Sequence, residues 1–222
     1  LTGCTTVLGV LAKPALIPVA AKMTLEWIKE NCEKQEENWL VSEDELDEAK
    51  KAHSKRKEKA GVYGTETHEA ISSIIQQAIN ATEGIVVRME MNNNDSVQNF
   101  IDWAINNKVK FLETEKNIYS EFLFIGGILD FVCEIDGQVW IGDIKTSGSG
   151  IYPEYFWQIA GYDLMLGEMN LYRNVTGYIV LNIKENGDFF EKRSISNEEN
   201  RQIFRNCLEI YRVQEKLKNN IL

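Results

Sequence analysis

The chain has 222 residues, 44% hydrophobic and 26% charged, enough for one sizeable domain with its own core and ordinary for a globular protein. No apolar run approaches the roughly 20 residues of a membrane-spanning helix, and the cysteines at 4, 32, 133 and 207 form no Cys-x-x-Cys pair, which excludes a zinc ribbon and leaves reduced, buried thiols in a cytoplasmic protein. The net charge of −10 argues against a broadly basic polyanion binder.

In chain order, Leu1-Thr2-Gly3-Cys4 has the look of a lipoprotein cleavage box, but no hydrophobic leader precedes it and lipidation is not expected. Pro18 suits a helix's first turn, and Ala20, Met23, Trp27 and Ile28 follow with helical spacing. Residues 30–48 are strongly acidic, and Lys50, Lys51, Lys55, Arg56, Lys57 and Lys59 follow directly. This basic strip reads equally as a local phosphate-binding surface or as a solvated helix face with internal ion pairs. Ser42 with Glu45 forms a capping box for a charged helix reaching about Ala60, where Gly61 and Gly64 break it.

A second helix is expected over about 65–81, with Ile71, Ile74, Ile75, Ala78 and Ile79 as its buried stripe and His68 on the stripe's edge. Asp95 or Ser96 opens another helix that buries Phe100, Trp103 and Ala104. The pattern then changes to strands at about 110–119, 121–135 and 138–146. Ser147-Gly148-Ser149-Gly150 is a flexible break, and Pro153 fits the first turn of a helix carrying Trp157, Ile159, Leu164 and Met165. Val175 to Ile183 is a buried strand, and Asn186-Gly187 turns into a strand over 189–195. Ser196 with Glu199 caps a last helix with Ile203, Cys207, Ile210 and Leu217 inward. The whole reads as one α/β (α+β) domain: a helical extension over 1–60, a core over 61–195 and a C-terminal helix over 196–222.

The chemistry concentrates at one hairpin. Asp136-Gly137 is a two-residue turn signal between apolar runs, and it pairs Ile135 with Gln138. Counting outward, Asp130 falls opposite Asp143, and like charges in that position call for a neutralising cation. Lys145 shares the face of Asp143 by strand alternation. The alternative is a surface hairpin with an Asp–Lys ion pair, but charges inside otherwise apolar strands need partners. Gln158 and Tyr162, four apart on one helical face, would orient Lys145 or grip a phosphate, or form a buried polar pair tying helix to sheet, and these roles need not exclude each other. Tyr152, Tyr155, Phe156 and Trp157 offer stacking surface for unpaired bases or belong to the core.

The motifs Gly127-Ile-Leu-Asp130, Asp143-Ile-Lys145 and Gln158-Ile-Ala-Gly-Tyr162 resemble the PD-(D/E)XK nuclease superfamily, and in particular its RecB-like exonuclease branch of phage and mitochondrial genome maintenance type. Gly64-Thr-Glu-Thr-His68 resembles that branch's upstream Gly-x-x-x-His motif, and Glu115 matches an acidic position of its mitochondrial-type members. The segment from Thr5 through Lys13-Pro14-Ala15-Leu16 also resembles phage members. Leu129 stands where the family's nominal proline would be.

The resemblance implies a restriction-endonuclease-like core, with a central mixed β-sheet flanked by helices and an N-terminal helical layer. It implies a metal-dependent DNA exonuclease in which His68, Asp130, Asp143 and the Ile144 carbonyl hold Mg²⁺ or Mn²⁺. Lys145, Gln158, Tyr162 and Glu115 would act beside the metal. The implied partners are single-stranded DNA or DNA ends, together with a recombinase, helicase or single-strand-binding protein, in phage-type replication, recombination or repair, with no membrane involved. Two other readings stand beside it: a binding or assembly module on the same fold with little catalysis, and a structure-specific endonuclease.

Overall fold

The computed structural model describes residues 1–12, 16–87, 95–148 and 150–221. Lys13-Pro14-Ala15 of the resemblance and Ser149 of the expected break lie outside the described residues. The chain divides into two units, Leu1–Leu11 with Gly64–Leu222, and Ala12–Tyr63. The first eleven residues therefore go with the larger unit and not with the helical segment that follows them.

In the larger unit, β1 (Thr2–Gly3), β4 (Lys110–Ser120), β5 (Ile125–Ile135), β6 (Gln138–Lys145), β7 (Val175–Ile183) and β8 (Phe189–Ser194) form one mixed sheet. Its order is β1-β5-β6-β7-β8, with β4 on the other side of β5. β6 and β7 run parallel, joined by the crossover helix α5 (Pro153–Glu168), and β7 is buried along most of its length. A largely apolar strand such as β7, with Asn182 its buried polar exception, is what a position covered on both faces requires.

Two apolar layers sandwich the sheet. On one face the end of α3 (Glu43–Thr82) and α4 (Asp95–Asn106) bury Ile71, Ile75, Phe100 and Trp103 against Phe131, Trp140 and Leu181. On the other, α1 (Cys4–Val7), α5 and α6 (Asn197–Ile221) bury Cys4, Val7, Ile159, Phe204 and Leu208 against Ile118, Leu129 and Val180. The molecule thus has a mixed α/β architecture with a central mixed sheet flanked by helices.

The turn chemistry holds: Asp136 and Gly137 both have positive φ, 51° and 75°, and Ile135 pairs with Gln138. Three features differ from the sequence reading. α3 is one continuous helix of 40 residues and does not break at Gly61 or Gly64. A mid-helix glycine costs only about 1 kcal/mol relative to alanine, which tertiary packing readily offsets. The strand expected from 121 starts at Ile125, because Glu121 to Phe124 form the turn. In α6 the inward face carries Phe204, Cys207, Leu208 and Tyr211, with Ile203 partly buried, whereas Ile210 and Leu217 are exposed.

The smaller unit holds α2 (Leu16–Asn31), a hairpin of β2 (Glu33–Gln35) and β3 (Asn38–Leu40) that the sequence reading did not foresee, and the first half of α3. Ser42 and Glu45 form the expected capping box, the Ser42 amide donating to Glu45 Oε2 at 2.8 Å. Lys50 pairs with Asp47, Lys51 and Lys55 with Glu48, and Arg56 with Glu26. Those ion pairs favour the solvated helix face over a phosphate-binding strip.

Candidate metal centre

The site forms where β5 and β6 part. Their ladder runs from Ile135–Gln138 to Phe131–Gly142 and ends one pair short of Asp130 and Asp143. The expected cross-strand pair of aspartates on one face is therefore not formed. Alternation along β5 slips at this point: Leu129 and Val132 pack on the α5 side, while Phe131 and Cys133 pack on the other. Opposite the slip, Glu115 has φ of 48°, a left-handed backbone rare for a non-glycine residue within a strand. Local strain of this kind is a way to re-aim side chains at functional sites.

Asp130 is re-aimed in this way. Its Oδ2 accepts the Ile144 amide at 2.6 Å and lies 3.8 Å from His68 Nδ1. The Thr114 hydroxyl donates to the Asp130 carbonyl at 2.9 Å, which fixes the main chain. Ligand atoms of His68, Glu115 and Asp130 all lie within 4.8 Å of one another. α3 delivers His68 from the edge of its apolar stripe. Gly64, one turn before it, is where an added Cβ would come 2.9 Å from Thr146 Oγ1, so the glycine serves close approach and not helix termination.

Asp143 lies outside that trio. It is 1% exposed on the α5 side, with Oδ2 2.6 Å from Lys145 Nζ. Gln158 Nε2 donates to Asp143 Oδ1 at 3.2 Å and to the Tyr162 hydroxyl at 2.7 Å, while Gln158 Oε1 accepts from Lys145 at 3.3 Å. One glutamine thus contacts Lys145, Asp143 and Tyr162 and ties α5 to β6. Gly127 leaves room for the Tyr162 ring, since a Cβ there would sit 3.0 Å from Tyr162 Cε1. Lys145 Nζ also lies 5.2 Å from the centre of the Tyr155 ring, whose hydroxyl bonds Ser147. Trp157 and Phe156 belong to the core.

The electrostatics of the two halves are joined. Burial pushes the Asp130 carboxyl well above its usual range; the charges of Asp143 and Glu115 add to this, and Lys145 and the Ile144 amide oppose it. Burial also lowers the His68 pKa, helped by Lys145 and opposed by Asp143 and by a hydrogen bond to the main chain of Ile144. The imidazole is therefore neutral at pH 7, the form that binds metals. Burial works against the Lys145 charge, but Asp143 and Asp130 outweigh it and raise its pKa. Glu115 is shifted upward by desolvation.

All eight residues singled out in the sequence thus fall in the larger unit around the opening of one hairpin. Glu115, expected beside the metal, has a carboxylate oxygen close enough to His68 and Asp130 to serve as a third donor. The sequence reading missed the Ile144 amide and Thr114, which hold Asp130. The sequence signal for Glu115 is its match to an acidic position of the resembled family, and its place across from Asp130 in the β4–β5 register agrees with it.

No family model matches this chain, and no curated protein sequence matches it. Among solved structures, one titled "Crystal structure of SSO0001" is similar over 67% of this chain and 88% of its own, at 14% identity and a TM-score of 0.30, a likeness too slight to bear on activity. Among the described residues no helix is long and apolar enough to cross a membrane.

Proposed function

We propose that this chain is a metal-dependent nuclease of the PD-(D/E)XK type, an exonuclease that hydrolyses phosphodiester bonds in single-stranded DNA or at DNA ends. The observation that carries the reading is the trio of His68, Glu115 and Asp130, with ligand atoms within 4.8 Å of one another, beside a buried lysine held by Asp143 and Gln158. The donor set fits a divalent cation. Two carboxylates suit Mg²⁺ or Mn²⁺, and the neutral imidazole shifts the preference toward Mn²⁺. Asp130, which its surroundings push toward the neutral form, gains counter-charge from the cation. When bound, such a cation lowers the pKa of a coordinated water and neutralises charge developing on a phosphate.

The residues' own roles follow from their contacts. Lys145 keeps its proton at neutral pH and presents an ammonium to the charge that builds on the phosphate oxygens. Gln158, fixed by Tyr162, sets the direction of that ammonium. Asp143 holds the lysine charged and stands close enough to Asp130 to raise its pKa.

Purified protein is expected to degrade end-labelled single-stranded DNA with Mn²⁺ or Mg²⁺ and not with EDTA. Asp143→Asn and Lys145→Ala are each expected to lower the rate by about 100-fold or more. Undiminished cleavage by both variants would overturn the assignment. A second reading, a binding or assembly module on this fold, draws on the commitment of Asp143 to Lys145 and on the net charge of −10. It predicts DNA or protein binding that survives Asp143→Asn, with no turnover in any metal.

A further inference from the structure

The β4–β5 ribbon continues past the candidate metal centre. Ile118 packs on the α5 side, so Glu115, Asn117 and Tyr119 of β4 share the opposite face. On β5, Ile125 and Leu129 pack on the α5 side and Gly127 faces Tyr162, which leaves Gly126 and Ile128 on the face of Glu115. Tyr119 stands opposite Gly126 and Asn117 opposite Ile128, which makes Tyr119 and Ile128 diagonal neighbours. From Glu115 to Tyr119 the strand covers about 13 Å at roughly 3.3 Å per residue.

Much of this face is exposed: Tyr119, on a strand that pairs with β5 alone among the described strands, is 45% exposed and Ile128 50%, while Leu1, itself 67% exposed, lies against Gly126, where an added Cβ would sit 3.2 Å from its side chain. It ends at the 121–124 turn, where Phe122 and Phe124 are 87% and 67% exposed. That turn is firmly mounted. The Glu168 carboxylate accepts the amides of Glu121 and Phe122 at 2.9 and 3.1 Å and also the Ser120 hydroxyl, and Arg212 donates to the Leu123 carbonyl at 2.8 Å. None of the residues 115, 117, 119, 126 and 128 is cationic. The face therefore offers no cation to phosphates, and it offers the Tyr119 ring with the Ile128 and Leu1 side chains to a flat apolar group.

We infer that this face is a base-stacking platform for the unpaired bases of the substrate strand, with Tyr119 as the stacking ring and Ile128 as the floor beside it. The inference rests on the nuclease reading for its substrate and on continuity with the metal centre along the same strand face for its occupant. Paired bases hide their faces in the duplex, so the platform selects single strands. Grip through bases also reconciles a polynucleotide substrate with an acidic protein, because it needs few phosphate contacts. The dependence of affinity on salt is then shallow, since the slope scales with the number of phosphates neutralised.

The test is fluorescence anisotropy in EDTA with a short labelled oligothymidylate and an abasic deoxyribose-phosphate oligomer of equal length, over a salt series, with wild type, Tyr119→Ala and Tyr119→Phe. Tyr119→Ala is expected to weaken oligothymidylate binding roughly tenfold, within the range for loss of one stacked base. Tyr119→Phe is expected to bind like wild type, and the abasic oligomer to bind wild type as weakly as the alanine variant binds oligothymidylate. No binding by wild type, wild-type affinity in Tyr119→Ala, equal affinity for the abasic oligomer, or a steep salt slope would each overturn the platform. So would self-association of wild type that Tyr119→Ala abolishes, which would assign the face to a second copy of the chain. Binding in EDTA is independent of turnover. A wild type that binds as expected but never cleaves with Mn²⁺ refutes the nuclease reading alone, and one that cleaves while Tyr119→Ala changes nothing refutes the platform alone.

Discussion

Asp130 is an acid whose surroundings favour its neutral form. Desolvation, Asp143 and Glu115 together outweigh the Ile144 amide and Lys145. A carboxyl pKa raised on folding means that the native state binds the proton more readily than the unfolded chain. The associated stability is present at low pH and is lost as pH rises from the unfolded value, about 3.9, through the raised folded one. Asn at this position keeps an oxygen for the Ile144 amide and has no charge to desolvate. In EDTA at pH 8, Asp130→Asn is therefore expected to melt above wild type, with the gap closing near pH 4. Thermal melts at the two pH values check this, and a variant less stable than wild type at pH 8 would contradict it. The sequence made Asp130, Asp143 and Lys145 legible because a two-residue turn sets register by counting. It could not reveal that the ladder opens one pair early. The slip at Asp130 and the positive φ of Glu115 are decided by packing of β5 between two helical layers, and alternation carries no sign of either. His68 was legible only through its motif.

At the scale of elements, close approach is the role of Gly64, read from sequence as a breaker, and of Gly142, but not of Gly61. Gly142 lies under the Phe131 ring, where an added Cβ would sit 1.9 Å from Phe131 Cζ. Gly142→Ala is expected to destabilise the fold by about 3 kcal/mol through overpacking, read as a lower urea midpoint. Gly61 has open space around an added Cβ, whereas Gly64 meets Thr146. Gly61→Ala is expected to stabilise by about 0.5–1 kcal/mol from helix propensity, and Gly64→Ala to gain less. Equal gains at both positions would argue against close approach as the role of Gly64. The α6 helix shows the opposite limit. Two apolar stripes with helical spacing run along it, one through Phe204, Cys207, Leu208 and Tyr211 and one through Ile210, Val213 and Leu217. Spacing alone cannot choose between them, and the sheet and α5 choose the first.

For the whole molecule, periodicity was enough to read the order of helices and strands, since it is a local signal, whereas the mixed sheet with its flanking helices came from the family resemblance. The allotment of the first eleven residues was legible in neither, because β1 is two residues long and owes its place to pairing with β5. The net charge of −10 sets what a metal can do here. A cation that binds the native state and not the unfolded one stabilises the fold by mass action, and the raised proton affinity of Asp130 sets protons in competition with the cation as pH falls. The most direct measurement is a calorimetric titration of Mn²⁺ into the protein at pH 8, with wild type and Asp130→Asn side by side. The expected result is saturable binding to wild type and its loss in Asp130→Asn. Equal Mn²⁺ binding by both proteins, or none by wild type, would contradict it.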